Sequence, residues 1–252
     1  MEASLKRPSE NDTPADQNLV DQEPTNLPSV RGNMSLGAVT GETSQSDIRI
    51  PYLQIAYGVG KLATKFNPGD FVLGGEHLLV SRGKPLTVII LAAVKYYKEK
   101  LSKSDLDAGL RPRSFATEAE VLKNKGTLEY KNAPDGSRIH PTFGPAMDLK
   151  LLIQQPEGLT QGPFGLEIDG AFYTPAYFSV DKAGYTRVGK EIQTQQSLAL
   201  SKVGLLAGLW ELHTEIQLIN GNNTVVSMIK LMGRTTEAAR AEITKLFAPA
   251  SA

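Results

Sequence analysis

The chain has 252 residues, with 27 Lys+Arg balanced by 27 Asp+Glu and no cysteine. That excludes disulfides, thiolate catalysis and cysteine-ligated metal sites. No segment reaches the roughly 20 consecutive apolar residues that span a bilayer, and "MEASLKRPSENDTPADQ" contains no apolar signal core, so we expect a non-secreted protein of the cytoplasm (the host cytoplasm if viral) with no membrane partner and no cofactor.

Charge is unevenly spread. Residues 1–46 hold three basic and seven acidic side chains, a net of −4 that the remaining chain balances with +4. This segment has no aromatic residue and is rich in Pro, Ser, Thr, Asn, Asp and Gln. It cannot bury enough apolar surface to offset the entropy of ordering, so residues 1–46 are predicted to be a disordered acidic tail. Residues 47–248 are predicted to form one β-rich domain.

Order should begin at "DIRIPYLQIAYG", where Ile48, Ile50, Tyr52, Leu53 and Ile55 suggest a buried extended stretch. "AYGVGKLATKF" fails the phosphate-loop pattern: Ile55 stands where its first Gly belongs, and Leu62 where Ser or Thr should be. It reads as a turn. "NPGDFVLGG" predicts a turn and the strand Phe71–Leu73; "HLLVS" and Leu86–Tyr97 follow as strands. "DLDAGLRPR" reads as a loop. "SFATEAEVLKNKG" reads as a short helix, capped by Thr117 or Ser114 and ended by Gly126. "YKNAPDGSRIHPTFGP" is a loop dense in turn formers.

Further strands are predicted at "AMDLKLLIQQ" and in "GLEIDGAFYTPAYFSV", with Asp169–Gly170 as a turn. "DKAGYTRVGKEIQTQQSLA" is a helix with Tyr185, Val188 and Ile192 on one face. Trp210 to Leu218 alternates with Glu211, His213, Glu215 and Gln217, the period of a half-buried strand with His213 on its solvent face. Asn220–Asn223 turns this strand into a hairpin, and a helix over Thr236–Phe247 closes the chain with Ile243, Leu246 and Phe247 as its stripe. About seven to nine strands without βαβ alternation predict a mainly β or α+β fold, specifically an OB-like antiparallel barrel with two or three short helices.

Catalytic signatures are weak. His77, His140 and His213 lie far apart with no metal-binding spacing. Asp148, Glu167 and Asp169 suit a metal-dependent nuclease only if the fold gathers them. No G-x-S-x-G elbow occurs, and a non-enzymatic role is expected.

One pattern points to a ligand. "AAVKYYKEKLSK" sets Lys95, Tyr96, Tyr97, Lys98, Lys100 and Lys103 at the end of a long apolar strand, and Arg111 and Arg113 follow. Tyr177, Phe178, Lys182, Tyr185, Arg187 and Lys190 form a second aromatic–basic group. In an extended chain Lys95 and Tyr97 face one way while Tyr96 and Lys98 face the other. Either face pairs a ring for stacking with an ammonium for phosphate, the chemistry of single-strand binding. The same side chains also suit a core aromatic beside edge lysines that block aggregation. A self-packing virion or assembly protein is the alternative role, and a nuclease the second.

The runs "IPYLQIAYGVGKLATKFNPGDFVLGG", "LTVIILAAVKYYKE", "PAYFSVDKAGYTRVGKEI" and "GLWELHTEIQLINGNNTVVSMIKLM" resemble a diffuse group of phage-encoded accessory proteins of DNA replication or recombination. The resemblance covers most of residues 47–232. It implies single-stranded DNA as the partner, bound on an OB-like barrel through Lys95, Tyr96, Tyr97 and Lys98, with Tyr185, Arg187 and Lys190 in support. "IPYLQ" and "PGDF" then act as fold determinants. The acidic tail is expected to compete for the groove or to recruit replication and recombination proteins, and self-association is compatible with this role.

Overall fold

The computed structural model describes residues 50–160, 162–219 and 221–247. The predicted tail over residues 1–46, the onset of order at Ile48 and the turn residue Asn220 lie outside them. The described chain is mostly antiparallel sheet with few helices, which agrees with the β-rich class.

Three short strands, β1 (Leu53–Ile55), β2 (Phe71–Leu73) and β3 (His77–Val80), form a small sheet. The main sheet is built from β4 (Leu86–Glu99), β8 (Phe143–Gln154), β9 (Leu166–Ile168), β10 (Ala171–Asp181), β11 (Gly208–Ile219) and β12 (Asn222–Arg234). Its order is β12-β11-β4-β8-β10-β9, and the short β5 (Ser114–Phe115) pairs with the far end of β4. The end strands β9 and β12 do not pair with each other, so among the described residues the sheet is open rather than closed into a barrel. A separate hairpin joins β6 (Lys131–Asn132) to β7 (Arg138–Ile139).

The main sheet has an inner and an outer face. The inner face carries Val88, Ile90, Leu149, Leu151, Phe178 and Val180, which pack in one core with the small sheet's Leu53, Phe71 and Leu73. The same core takes Tyr185, Val188 and Ile192, the stripe read from the sequence. They belong to a continuous helical stretch: α3 (Lys182–Gly184), a π-helical turn (Tyr185–Gly189) and α4 (Lys190–Ser197). Gly189 lacks a side chain where one is excluded, because an added Cβ would lie 2.6 Å from the Tyr185 ring. The "PGDF" turn is held by buried Asp70, which accepts from the backbone N–H groups of Asn67 and Arg82. The Thr214 hydroxyl donates to the Gly69 carbonyl, tying this turn to β11.

At one end the outer face is covered by α5 (Glu237–Phe247) through Ile89, Leu152, Tyr173, Ala239 and Ile243. Leu246, predicted to join that stripe, is instead exposed.

Local chemistry explains the elements that differ from expectation. A short helix, α1 (Lys103–Asp107), occupies what reads as a loop, because Ser102 and Asp105 form a reciprocal capping box. α2 (Glu118–Lys123) is capped by the Thr117 side chain as expected, but Lys125 rather than Gly126 takes the left-handed backbone at its end. β8 starts at Phe143, before the predicted Ala146. Pro145 is tolerated because β10 leaves the ladder after the Asp181–Ala146 pair, so no strand there needs its missing N–H. Pro175 likewise sits between the last β9 pair at Ala171–Tyr173 and the Pro51–Tyr177 bond, where no donor is required.

Candidate nucleic-acid interface

Between Ile90 and Ala92 the register of β4 against β8 shifts by one residue. Such a bulge reverses the alternation beyond it. Ile90 faces inward with Leu151, yet Ala93, opposite Leu149, also faces inward, followed by Lys95 and Tyr97. Ala92, Val94, Tyr96 and Lys98 therefore turn outward.

Beyond the cover of α5 the outer face is a lattice of residues opposite one another: Ala92, Lys150 and Tyr177; Val94, Asp148 and Ser179; Tyr96, Ala146 and Asp181. Neighbours lie about 5 Å apart across strands, and rows about 7 Å apart along them. Tyr52 extends the first row: it bridges Tyr177 in parallel, and the Tyr177 N–H donates to the Pro51 carbonyl at 3.0 Å. The two rings meet at 5.7 Å with a 40° tilt, yet Tyr52 remains 57% and Tyr177 36% exposed. Tyr52 was expected in a buried run. It escapes burial because it precedes β1 and bridges Tyr177 at the open flank of β10, opposite in phase to the buried Leu53 and Ile55.

Polar contacts fix the lattice. The Tyr96 hydroxyl donates to Asp148 Oδ1 at 3.2 Å, and the Ser179 hydroxyl donates to the same oxygen at 2.6 Å. Lys98 pairs with Asp181 at 3.1 Å, and the Lys150 ammonium lies 5.4 Å from the Phe247 ring, marking the limit of α5. Burial, then the Asp148 carboxylate, pushes the Tyr96 phenol up to about 12. The neutral phenol is favoured in the folded chain, so its stabilising effect is whole below an ordinary tyrosine pKa of about 10 and fades as pH rises toward about 12. An ultraviolet tyrosinate titration should show late ionisation, shared with Tyr57, Tyr97 and Tyr173, whose amplitude falls by one tyrosine in Tyr96→Phe. A titration unchanged by that substitution would refute the assignment.

The predicted contacts divide. Tyr97 is only 6% exposed; it packs with Val121 and Phe143 and donates to Glu118 Oε1 at 2.5 Å. Tyr185 is 4% exposed within the main core. Neither ring has a free face, which corrects the expectation that they stack bases. The bulge buries Tyr97, and the helical stripe buries Tyr185. Lys95 lies over the Tyr97 ring at 5.2 Å on the inner side, and the contact with Tyr97 raises its pKa. Arg113 is engaged by Glu99, through Nε at 3.0 Å and Nη2 at 2.7 Å; this pairing holds the Glu99 carboxyl below its usual range. Arg111, Lys100 and Lys190 are exposed, and Lys103 is the first residue of α1. Arg187 donates to Gln217 at 3.2 Å. The helix bearing Arg187 and Lys190 packs on the inner face, so these residues do not join the outer tyrosines. Of the second cluster, Tyr177 shares the outer face with Tyr96, and Lys182 lines a single cleft with Lys98 and Lys100.

Sequence reasoning missed Tyr52 and Lys150, whose only signal was a ring or charge inside an apolar run. The nuclease trio is not assembled: Ser179, opposite Asp148, is eight residues along β10 from its first residue, beside Asp169, or roughly 26 Å of strand. Asp169 instead accepts from Thr236 at 2.7 Å. Among the described residues no three His, Cys, Asp or Glu side chains form a metal-binding group. No described helix is long and apolar enough to cross a membrane. His213 lies on the more open face of β11 between Glu211 at 3.6 Å and Glu215 at 3.3 Å, as expected, and these neighbours leave it half-buried.

No protein-family model, curated protein or solved structure matches this chain.

Proposed function

We propose that this protein is a non-catalytic, largely sequence-independent single-stranded DNA-binding protein that serves phage DNA replication or recombination in the host cytoplasm. The observation that carries this reading is the gathering of Tyr52, Tyr96 and Tyr177 on the uncovered half of one sheet face, with Lys98 and Lys150 beside them. Exposed rings on a rigid sheet stack unpaired bases, and flanking ammonium groups attract the phosphates. Duplex bases are already stacked and gain little from such a surface. The OB-like interpretation belongs to the same proposal. It is supported by long antiparallel strands whose inner face holds a helix and a second small sheet, while the half of the outer face beyond α5 is uncovered.

Fluorescence anisotropy with labelled oligo-dT and a duplex of equal length, at two salt concentrations, tests the proposal. The single strand should bind more tightly, and its log affinity should fall with log salt by about 0.7 per neutralised phosphate. Equal affinity for duplex, or indifference to salt, would count against it.

A further inference from the structure

Where the outer face of β4 and β10 ends, a cleft of about 620 Å³ opens between the end of β4, the loop before β8, the start of α3 and Ile219 and Thr224 of β11 and β12. Its size falls in the range of small-molecule sites. The walls differ in character. One is basic, from Lys98, Lys100 and Lys182. The other is aromatic, from Tyr130 and His140, whose rings meet at 5.0 Å, with the Arg138 guanidinium 5.1 Å from the Tyr130 ring.

The charge of the basic wall is not cancelled locally. Both acids of the cleft are engaged: Asp181 by Lys98 at 3.1 Å and Glu99 by Arg113 at 2.7 Å. Among the described residues Lys100 and Lys182 take part in no ion pair. Two backbone features serve these two lysines. Lys100 lies across Gly144, where an added Cβ would come 2.6 Å from its Cε. Lys182 holds the left-handed backbone at φ 49°, a conformation that residues with side chains adopt at a cost and that collects at ligand sites.

We propose that this cleft holds one nucleotide, with its phosphate on Lys100 and Lys182 and its base against the Tyr130–His140 wall. A phosphate alone would leave the aromatic wall and most of the volume unused. The inference rests on the single-strand reading in one respect: the nucleotide is a unit of a strand that lies along Tyr52, Tyr177 and Tyr96 and enters the cleft past Lys98, the residue common to both surfaces. The cleft thereby fixes where one unit of the strand sits, which stacking on a sheet face alone does not.

The test uses the full chain and dTMP, followed by the NMR resonances of the His140 and Tyr130 rings, with thymidine and inorganic phosphate as partial probes. Saturable shifts with dTMP are expected, weaker with either part alone. Lys100→Gln combined with Lys182→Gln, both surface changes, should weaken dTMP binding about tenfold or more, since each removes a hydrogen bond to a charged group. Gly144→Ala, which displaces only the flexible end of Lys100, should weaken it in the same direction. Absence of saturable dTMP binding, or binding unchanged by the double substitution, overturns the proposal. The two readings fail separately. Oligo-dT binding without saturable dTMP binding sinks the cleft alone, whereas dTMP binding without any oligo-dT binding sinks the single-strand reading and leaves a free-nucleotide site.

Discussion

Alanine at Tyr52, Tyr96 and Tyr177 together should lower affinity for oligo-dT by about a hundredfold or more while the domain stays folded. Each base stacked on an aromatic side chain contributes about 1–3 kcal/mol, and about 1.4 kcal/mol is a factor of ten, so even the low end for three rings reaches that loss. Tyr52 and Tyr177 touch at 5.7 Å, so their effects should not add: losing one ring also unseats the other. Tyr96→Phe keeps the ring and removes only the hydrogen bond to Asp148, so it should leave most of the affinity intact. Circular dichroism checks the fold, and anisotropy reads the binding. A triple variant within about threefold of the parent affinity would show that these rings do not hold bases, and the proposed function would fail with them.

Trp210→Ala should destabilise the domain by about 3–5 kcal/mol, the usual cost of emptying a large aromatic site in a core. Trp210 is fully buried in the core that joins the main sheet to the small sheet and the helix. Gly208 makes room for it: an added Cβ there would lie 2.5 Å from the indole nitrogen, so Gly208→Ala should also destabilise, by overpacking. The indole Nε1 is buried without a hydrogen-bond partner among the described residues. Trp210→Phe gives up ring volume but also removes that unsatisfied donor, so it should cost clearly less than alanine. Urea unfolding followed by circular dichroism gives all three values. Equal losses for Phe and Ala would contradict this account of the site.

Several elements were legible because their signals are local. Alternation from Trp210 to Leu218 marks β11, the Asp169–Gly170 turn opens β10, and the spacing of Tyr185, Val188 and Ile192 marks a helix face. Thr117 announces the start of α2 by the bond that its side chain makes. Other elements were hidden by residues that usually break structure. Pro145 read as loop, yet like Pro175, which fell in a predicted strand, it sits where the strand on one side is absent, and only the sheet's outline reveals that the missing donor costs nothing.

The chain by itself determined a β-rich domain, an adjacent pair of tyrosines among lysines at the end of a long strand, and an aromatic-free acidic segment before the first strand. It could not determine which tyrosine meets solvent. Uninterrupted alternation from Ile90 would have turned Tyr96 inward and Tyr97 outward; the register shift between Ile90 and Ala92 does the reverse. That one extra residue, together with the edge pairing that holds Tyr52 beside Tyr177, composes the open face from residues far apart in the chain. The physical reason is that side chains alternate along a strand with a period of two, so a slip of a single residue exchanges inside for outside, and whether the slip occurs depends on how the partner strand packs.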